Sequence, residues 1–193
     1  MKTPAKTPTA PITMIRPLRG WTTINFRELW AYRELLYFLT WRDIKVRYKQ
    51  TMLGAAWAVI KPLMMMIVFT IFFGNLMNVP SLGIPYPLFS YAALLPWTMF
   101  SEGIVRSSES LIADKNLVQK VHFPRLVMPL SGILSPLVDF AIAFIIFIGM
   151  VFYFGFTFTI SILWLPVFLL LALATALGIG LWFAAINVQY RDV

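Results

Sequence analysis

Residues 42–73 read RDIKVRYKQTMLGAAWAVIKPLMMMIVFTIFF. Arg42, Lys45, Arg47 and Lys49 stand directly ahead of an apolar run whose only charge is Lys61. A run of that length and polarity is solvated by lipid rather than water, and Lys and Arg beside a span are retained on the cytoplasmic side of a bilayer. The segment therefore predicts both a membrane protein and the orientation of its first span.

Working outward, the rest of the chain agrees. Of its residues 60% are hydrophobic and 12% charged, with a mean hydropathy of +0.78. A soluble domain carries about twice that charged fraction. The formal charge of +8 does not point to nucleic acid, because the basic residues border apolar runs instead of forming a stripe on a soluble domain. The chain has no cysteine, which excludes disulfides and thiolate metal sites. Its single histidine, His122, cannot build a metal site alone. Lys2 and Lys6 resemble the start of a secretory signal, but Pro4, Pro8, Pro11 and Pro17 replace the apolar core such a signal needs. Residues 1–26 read as a flexible cytoplasmic tail, 27–50 as an amphipathic helix with its basic junction, and 51–193 as a transmembrane domain.

A bilayer core of about 30 Å takes roughly 20 helical residues to cross. Four stretches qualify, near 52–77, 87–108, 126–154 and 161–186, so the expected fold class is an all-α membrane protein. The connections NVPSLGIPYP and GFTFTIS carry no Lys or Arg, whereas the 109–125 loop holds Lys115, Lys120 and Arg125. Ten basic residues precede residue 51, and Arg191 follows the last span. Both termini and the 109–125 loop are thus expected in the cytoplasm. Residues 27–41, RELWAYRELLYFLTW, place Leu29, Tyr32, Leu36 and Leu39 on one helical face, with Trp30 and Trp41 near the ends. That pattern suits the headgroup plane; an ordinary amphipathic helix in a cytoplasmic domain is the alternative.

Charges within spans are rare and merit a functional hypothesis. Lys61 lies in the first span, close enough to its start to snorkel. Glu102 and Arg106 are one turn apart in the second and are expected to pair. Asp139 lies near the middle of the third, one turn beyond Ser135 and two beyond Ser131. It could pair with Lys61 or Arg106 or be protonated. In the fourth span Ala172, Ala176 and Gly180 recur every fourth residue, a face for close helix packing. No P-loop, dinucleotide fingerprint or nucleophile elbow occurs, so no catalytic, cofactor-binding or metal residue is assigned. Energy for uphill movement has to come from another subunit. In the loop ESLIADKNLVQKVHFPR, apolar Leu111, Ile112, Leu117, Val118 and Val121 alternate with charges. The residues alone leave two readings open, a loop lying on the membrane and a coupling helix seated in a cytoplasmic partner.

The pattern W-R-D-I-K-V-R-Y-K-Q-T-x-L-G-x-x-W-A-V-x-x-P-L at 41–63 closely resembles the permease subunits of ABC exporters for O-antigen, teichoic acid and capsule polysaccharides, which have the type-2 ABC permease fold. LLPWTMFSEGI at 94–104, N-L-V-Q-K-V-x-F-P-R at 116–125 and N-V-Q-Y-R-D-V at 187–193 are similar to the same family. The resemblance implies a homodimer of permeases with two P-loop ATPase subunits that carry ATP and Mg²⁺, in a bacterial inner membrane. It implies that 27–40 lies on the membrane and that 109–123 seats in the ATPase, through Asp114, Lys115, Asn116, Leu117, Val118, Gln119, Lys120, Val121, His122 and Phe123. A lipid-linked polysaccharide would pass between the permeases, with Tyr91, Trp97 and Phe100 as candidate channel-lining aromatics. Membrane lipids are the remaining partner, and nucleic acid is not one. The family's six spans against four here lead to the expectation of a C-terminally truncated permease. A non-transporting scaffold of a glycan-assembly complex, a proton-coupled transporter using Asp139 and a membrane enzyme are the competing readings.

Overall fold

The computed structural model describes residues 26–49, 56–81, 83–121 and 123–190. Among them every regular element is a helix. The first, α1 (Phe26–Ala31), gives way at Tyr32 to α2 (Arg33–Lys49). After residues outside the described set comes α3 (Ala56–Phe69), which continues as a π-helical turn over Thr70–Leu76. There follow α4 (Tyr86–Ala113), the short α5 (Lys115–Lys120) and α6 (Val127–Tyr153). A 3₁₀ turn over Ile160–Trp164 leads into α7 (Leu165–Tyr190).

Three helical stretches are long and apolar enough to cross a membrane, Ala56–Leu76, Val127–Tyr153 and Ile160–Gln189. The expected second span, 87–108, falls in α4. At 28 residues, or about 42 Å, α4 has the length but a more polar composition, with Glu102, Arg106 and Glu109 toward its end. Its position explains the difference. It packs against α3, α6 and α7, so neighbouring helices rather than lipid surround most of it. Tyr91, Leu95 and Met99 of α4 meet Phe140 and Ala143 of α6 in the main core.

Small residues set the spacing of the bundle. A Cβ on Gly132 of α6 would lie 2.9 Å from the Arg106 carbonyl oxygen of α4, so only glycine permits this approach of two backbones. The Ala172/Ala176/Gly180 face meets α4 as expected. Ala176 faces Gly103, and Gly180 abuts Ser107. Ala184 continues the seam in full burial, and Asn187 Nδ2 closes it by donating to the Ser108 carbonyl at 3.4 Å. Ala172 itself borders an apolar cavity of about 280 Å³ with Leu95, Pro96 and Phe168.

Two local features differ from the sequence expectation. The helix predicted over 27–41 extends through the basic block to Lys49, so Arg42, Asp43, Arg47 and Tyr48 are helical side chains with fixed directions. The first span widens into a π turn where Gly74 lies against the Tyr86 ring, at a spot where a Cβ would come within 2.9 Å of it. Residues 1–25 and 191–193, with the expected tail and Arg191, lie outside the described residues, as do positions 52–55 of the first span.

Candidate functional site

The basic end of the bundle, where Arg42, Lys45, Lys115, Lys120 and Arg125 gather, is organised by α1 and α2. Leu29, Tyr32, Leu36 and Leu39, the predicted apolar face, pack on Phe123, Val127 and Met128, with Leu111, Leu117 and Val118 alongside. The helix is thereby fixed against both the 109–125 loop and the start of α6.

Two ion pairs leave α2 from this position. Arg42 donates from Nη1 to Asp114 Oδ1 at 2.8 Å and from Nη2 to Asp114 Oδ2 at 2.5 Å, a bidentate geometry. Nε and Nη2 also donate to Asp43 Oδ1, at 3.0 and 2.8 Å. Asp114, and behind it Asp43, hold the Arg42 guanidinium above its ordinary value against the opposing cost of burial. One and a half turns later Arg47 Nη1 donates to Asp139 Oδ2, and its Nη2 donates to Ser135 Oγ at 2.7 Å. The Tyr48 hydroxyl donates to the second oxygen, Asp139 Oδ1. Burial first, and the nearby charge of Arg106 second, push the Arg47 guanidinium below its ordinary value; it stays protonated throughout the range in which proteins fold.

The expected partners of the intramembrane charges are therefore corrected. Asp139 pairs with Arg47, not with Lys61 or Arg106. Glu102 pairs with Lys61 of α3 and not with Arg106 one turn away on its own helix. Pairing Glu102 with Lys61 gives the intramembrane ammonium of α3 a counter-charge, which a Glu102–Arg106 pair on one helix would not. Asp139 is reached instead from α2, which packs on α6 and brings Arg47 to one carboxylate oxygen and Tyr48 to the other. Lys61, Glu102, Arg106, Asp139, Arg47 and Tyr48 together border one cavity of about 280 Å³, with Trp57, Pro62, Leu95, Met99 and Phe140 as its apolar wall. A second cavity of about 460 Å³ adjoins it, where Arg47, Arg106 and Gly132 meet Arg42 and Asp114. Among the described residues no three His, Cys, Asp or Glu side chains converge as a metal site needs.

The candidate coupling residues divide by environment. Asp114 is held by Arg42, Phe123 is buried in the cluster beneath α2, and Leu117 and Val118 pack against that cluster. Lys115, Gln119, Lys120 and Val121 face outward. Asn116 belongs to α5, and His122 lies outside the described residues. The segment is thus a short helix anchored by one apolar face and presenting a basic one. Of the candidate channel aromatics, Trp97 is 63% exposed and its ring lies 6.2 Å from that of Phe100. Tyr91 is fully buried, stacked on Phe147 with its hydroxyl donating to the Ala143 carbonyl at 3.3 Å. This makes Tyr91 a core residue of the single chain and leaves Trp97 as an exposed and Phe100 as a half-buried aromatic of α4. Arg47 and Tyr48 were not singled out individually in sequence. The available signal was Asp139 itself, a carboxylate with no basic residue in its own span, which has to find its counter-charge on another element.

Comparison with known proteins places this architecture. A family model described as ABC-2 type transporter matches residues 34–193. The O-antigen export system permease protein RfbA of Myxococcus xanthus is 32% identical over 169 residues, covering 86% of this chain and 64% of that protein. Two proteins of the same name from Klebsiella pneumoniae are 34% and 33% identical over 123 residues, covering 63% of this chain and 46% of each relative. The chain spans between about half and two thirds of the length of the curated relatives it matches. With the match running from α2 through α7, this chain belongs to the ABC-2 type transporter family.

Proposed function

We propose that the chain is a permease subunit of an ABC exporter that moves lipid-linked polysaccharide of the O-antigen type across the bacterial cytoplasmic membrane. The observation that carries this reading is the similarity to O-antigen export permeases over most of the chain. The basic end faces the cytoplasm, in keeping with the distribution of Lys and Arg. The outward face of α5, with Lys115, Gln119, Lys120 and Val121, docks on a P-loop ATPase that binds ATP and Mg²⁺, and a second copy completes the pathway. Trp97 and Phe100 are the aromatic surfaces offered to sugar rings, whose apolar faces pack on aromatic ones. The engagement of Asp139 by Arg47 and Tyr48 counts against a proton-carrying role, since both carboxylate oxygens are occupied.

The test is deletion of the gene in its own host, followed by measurement of surface polysaccharide and of lipid-linked polysaccharide inside the cell. Loss at the surface with accumulation inside, reversed by restoring the gene, is the expected outcome. Undiminished surface polysaccharide refutes the proposal.

A further inference from the structure

Within α3 only Pro62 is buried. The residue before it, Lys61, donates from Nζ to Glu102 of α4. This pair is the polar tie between the two helices, and it is loosely enclosed, with side chains 56% and 29% exposed. Proline carries no N–H, so α3 lacks the hydrogen bond to the Ala58 carbonyl and bends there at low cost. Trp57, Ala58, Lys61 and Pro62 form one wall of the charged cavity of about 280 Å³. The first half of α3 therefore faces open space instead of close-packed side chains.

Glu102 also has a second counter-charge within reach. Arg106 lies one turn further along α4 and borders the same two cavities as Glu102. A glutamate four residues ahead of a cation is the favourable order for a pair on one helix. Among the described residues no carboxylate lies within ion-pair distance of Arg106. Asp139 is held by Arg47 and Tyr48, and Glu109 is exposed on the far side of Arg106.

We propose that the Lys61–Glu102 pair is a latch between α3 and α4, hinged at Pro62, with Arg106 as the seat that receives Glu102 when the latch opens. Neither charge is then stranded, because the freed Lys61 amine can extend along its stem to the headgroups. Opening widens the charged cavity toward the lipid beside α3. The device involves only helices of this chain and does not depend on which molecule is moved.

The chain has no cysteine, so introduced thiols report on it cleanly. Spin labels at Ala56→Cys of α3 and Val105→Cys of α4 give the distance between the helices by pulsed electron resonance in lipid nanodiscs. The expected distribution has a main short population and a minor long one. Lys61→Gln should enlarge the long population by about two- to fivefold. Arg106→Gln should shrink it by roughly twofold, and Arg106→Lys should keep it, which separates loss of charge from loss of folding. Pro62→Ala, by restoring the helical hydrogen bond, should shrink it as well. A single distance in both the unaltered chain and Lys61→Gln overturns the latch. An Arg106→Gln variant with an unchanged or larger long population overturns the second seat, and an unchanged Pro62→Ala overturns the hinge.

Discussion

Replacing Asp139 by Asn tests the charge network at its centre. The substitution keeps the shape and leaves an oxygen that can still accept from the Tyr48 hydroxyl, but it removes the charge opposite Arg47. The Asp139 and Arg47 side chains are 19% and 22% exposed, so the pair is mostly but not wholly withdrawn from solvent. Removing one member of a fully buried pair costs about 3–5 kcal/mol. Partial exposure and the surviving bond from Arg47 to Ser135 reduce that to about 2–3 kcal/mol. For a chain of this size the melting midpoint should fall by about 4–12 °C, read by circular dichroism of the purified protein in detergent. Removing both charges, as Arg47→Met/Asp139→Leu, should restore stability to within about 1 kcal/mol of the original, because the cation that lost its counter-charge is then gone as well. The double-mutant cycle isolates the pairing from the packing changes. A midpoint within a degree of the original in Asp139→Asn, or a double variant as unstable as the two single losses added together, would refute the assignment. In export assays Asp139→Asn should lower transport only in proportion to folded protein. Complete loss at normal abundance would instead give the carboxylate a transport role.

Gly132→Ala should destabilise the bundle by about 1–3 kcal/mol, since its Cβ meets the Arg106 backbone carbonyl, and no side-chain change on α4 should rescue it in thermal unfolding. Gly180→Ala sets its Cβ 2.5 Å from that of Ser107; its loss in melting midpoint should be recovered in part by Ser107→Gly. Arg42→Gln should cost about 1 kcal/mol in thermal unfolding and increase proteolytic cleavage around Asp114–Lys120, because the anchor of the α4–α5 junction is weakened. Burial holds the Tyr48 hydroxyl above its ordinary value, so the folded state keeps this proton after the unfolded chain has lost it. Its contribution is fully present below about pH 10 and is lost as pH rises toward the higher folded value. Tyr48→Phe should flatten that alkaline decline in a pH series of melting midpoints.

Much of the fold follows from local pattern. The face of Leu29, Tyr32, Leu36 and Leu39 was legible because helical period alone aligns those residues, and the same holds for Ala172, Ala176 and Gly180. The family was legible from ordered motifs, beginning with 41–63. What local pattern misled was the choice of ionic partners. Glu102 and Arg106 satisfy the spacing of a helical pair, but spacing carries no information about Lys61 on α3, 41 residues away. Arg47 and Asp139 are 92 residues apart, and the basic block around Arg47 is explained so fully by topology that nothing marks one arginine as turned inward.

The placement of the two ion pairs bears on how movement at the basic end would reach the membrane interior. Arg42 and Arg47 lie about 7.5 Å apart along one rigid helix. The first is tied to the α4–α5 junction at Asp114, the second to the middle of α6 at Asp139. Leu39 between α2 and the start of α6 prevents the helix from sliding free. A displacement of α5 by a docked partner must then either carry α2 with it, pulling on α6 at mid-span, or break the Arg42–Asp114 contact. The outer contact is the more exposed of the two, and α2 thereby links the α4–α5 junction at Asp114 directly to the middle of α6 at Asp139.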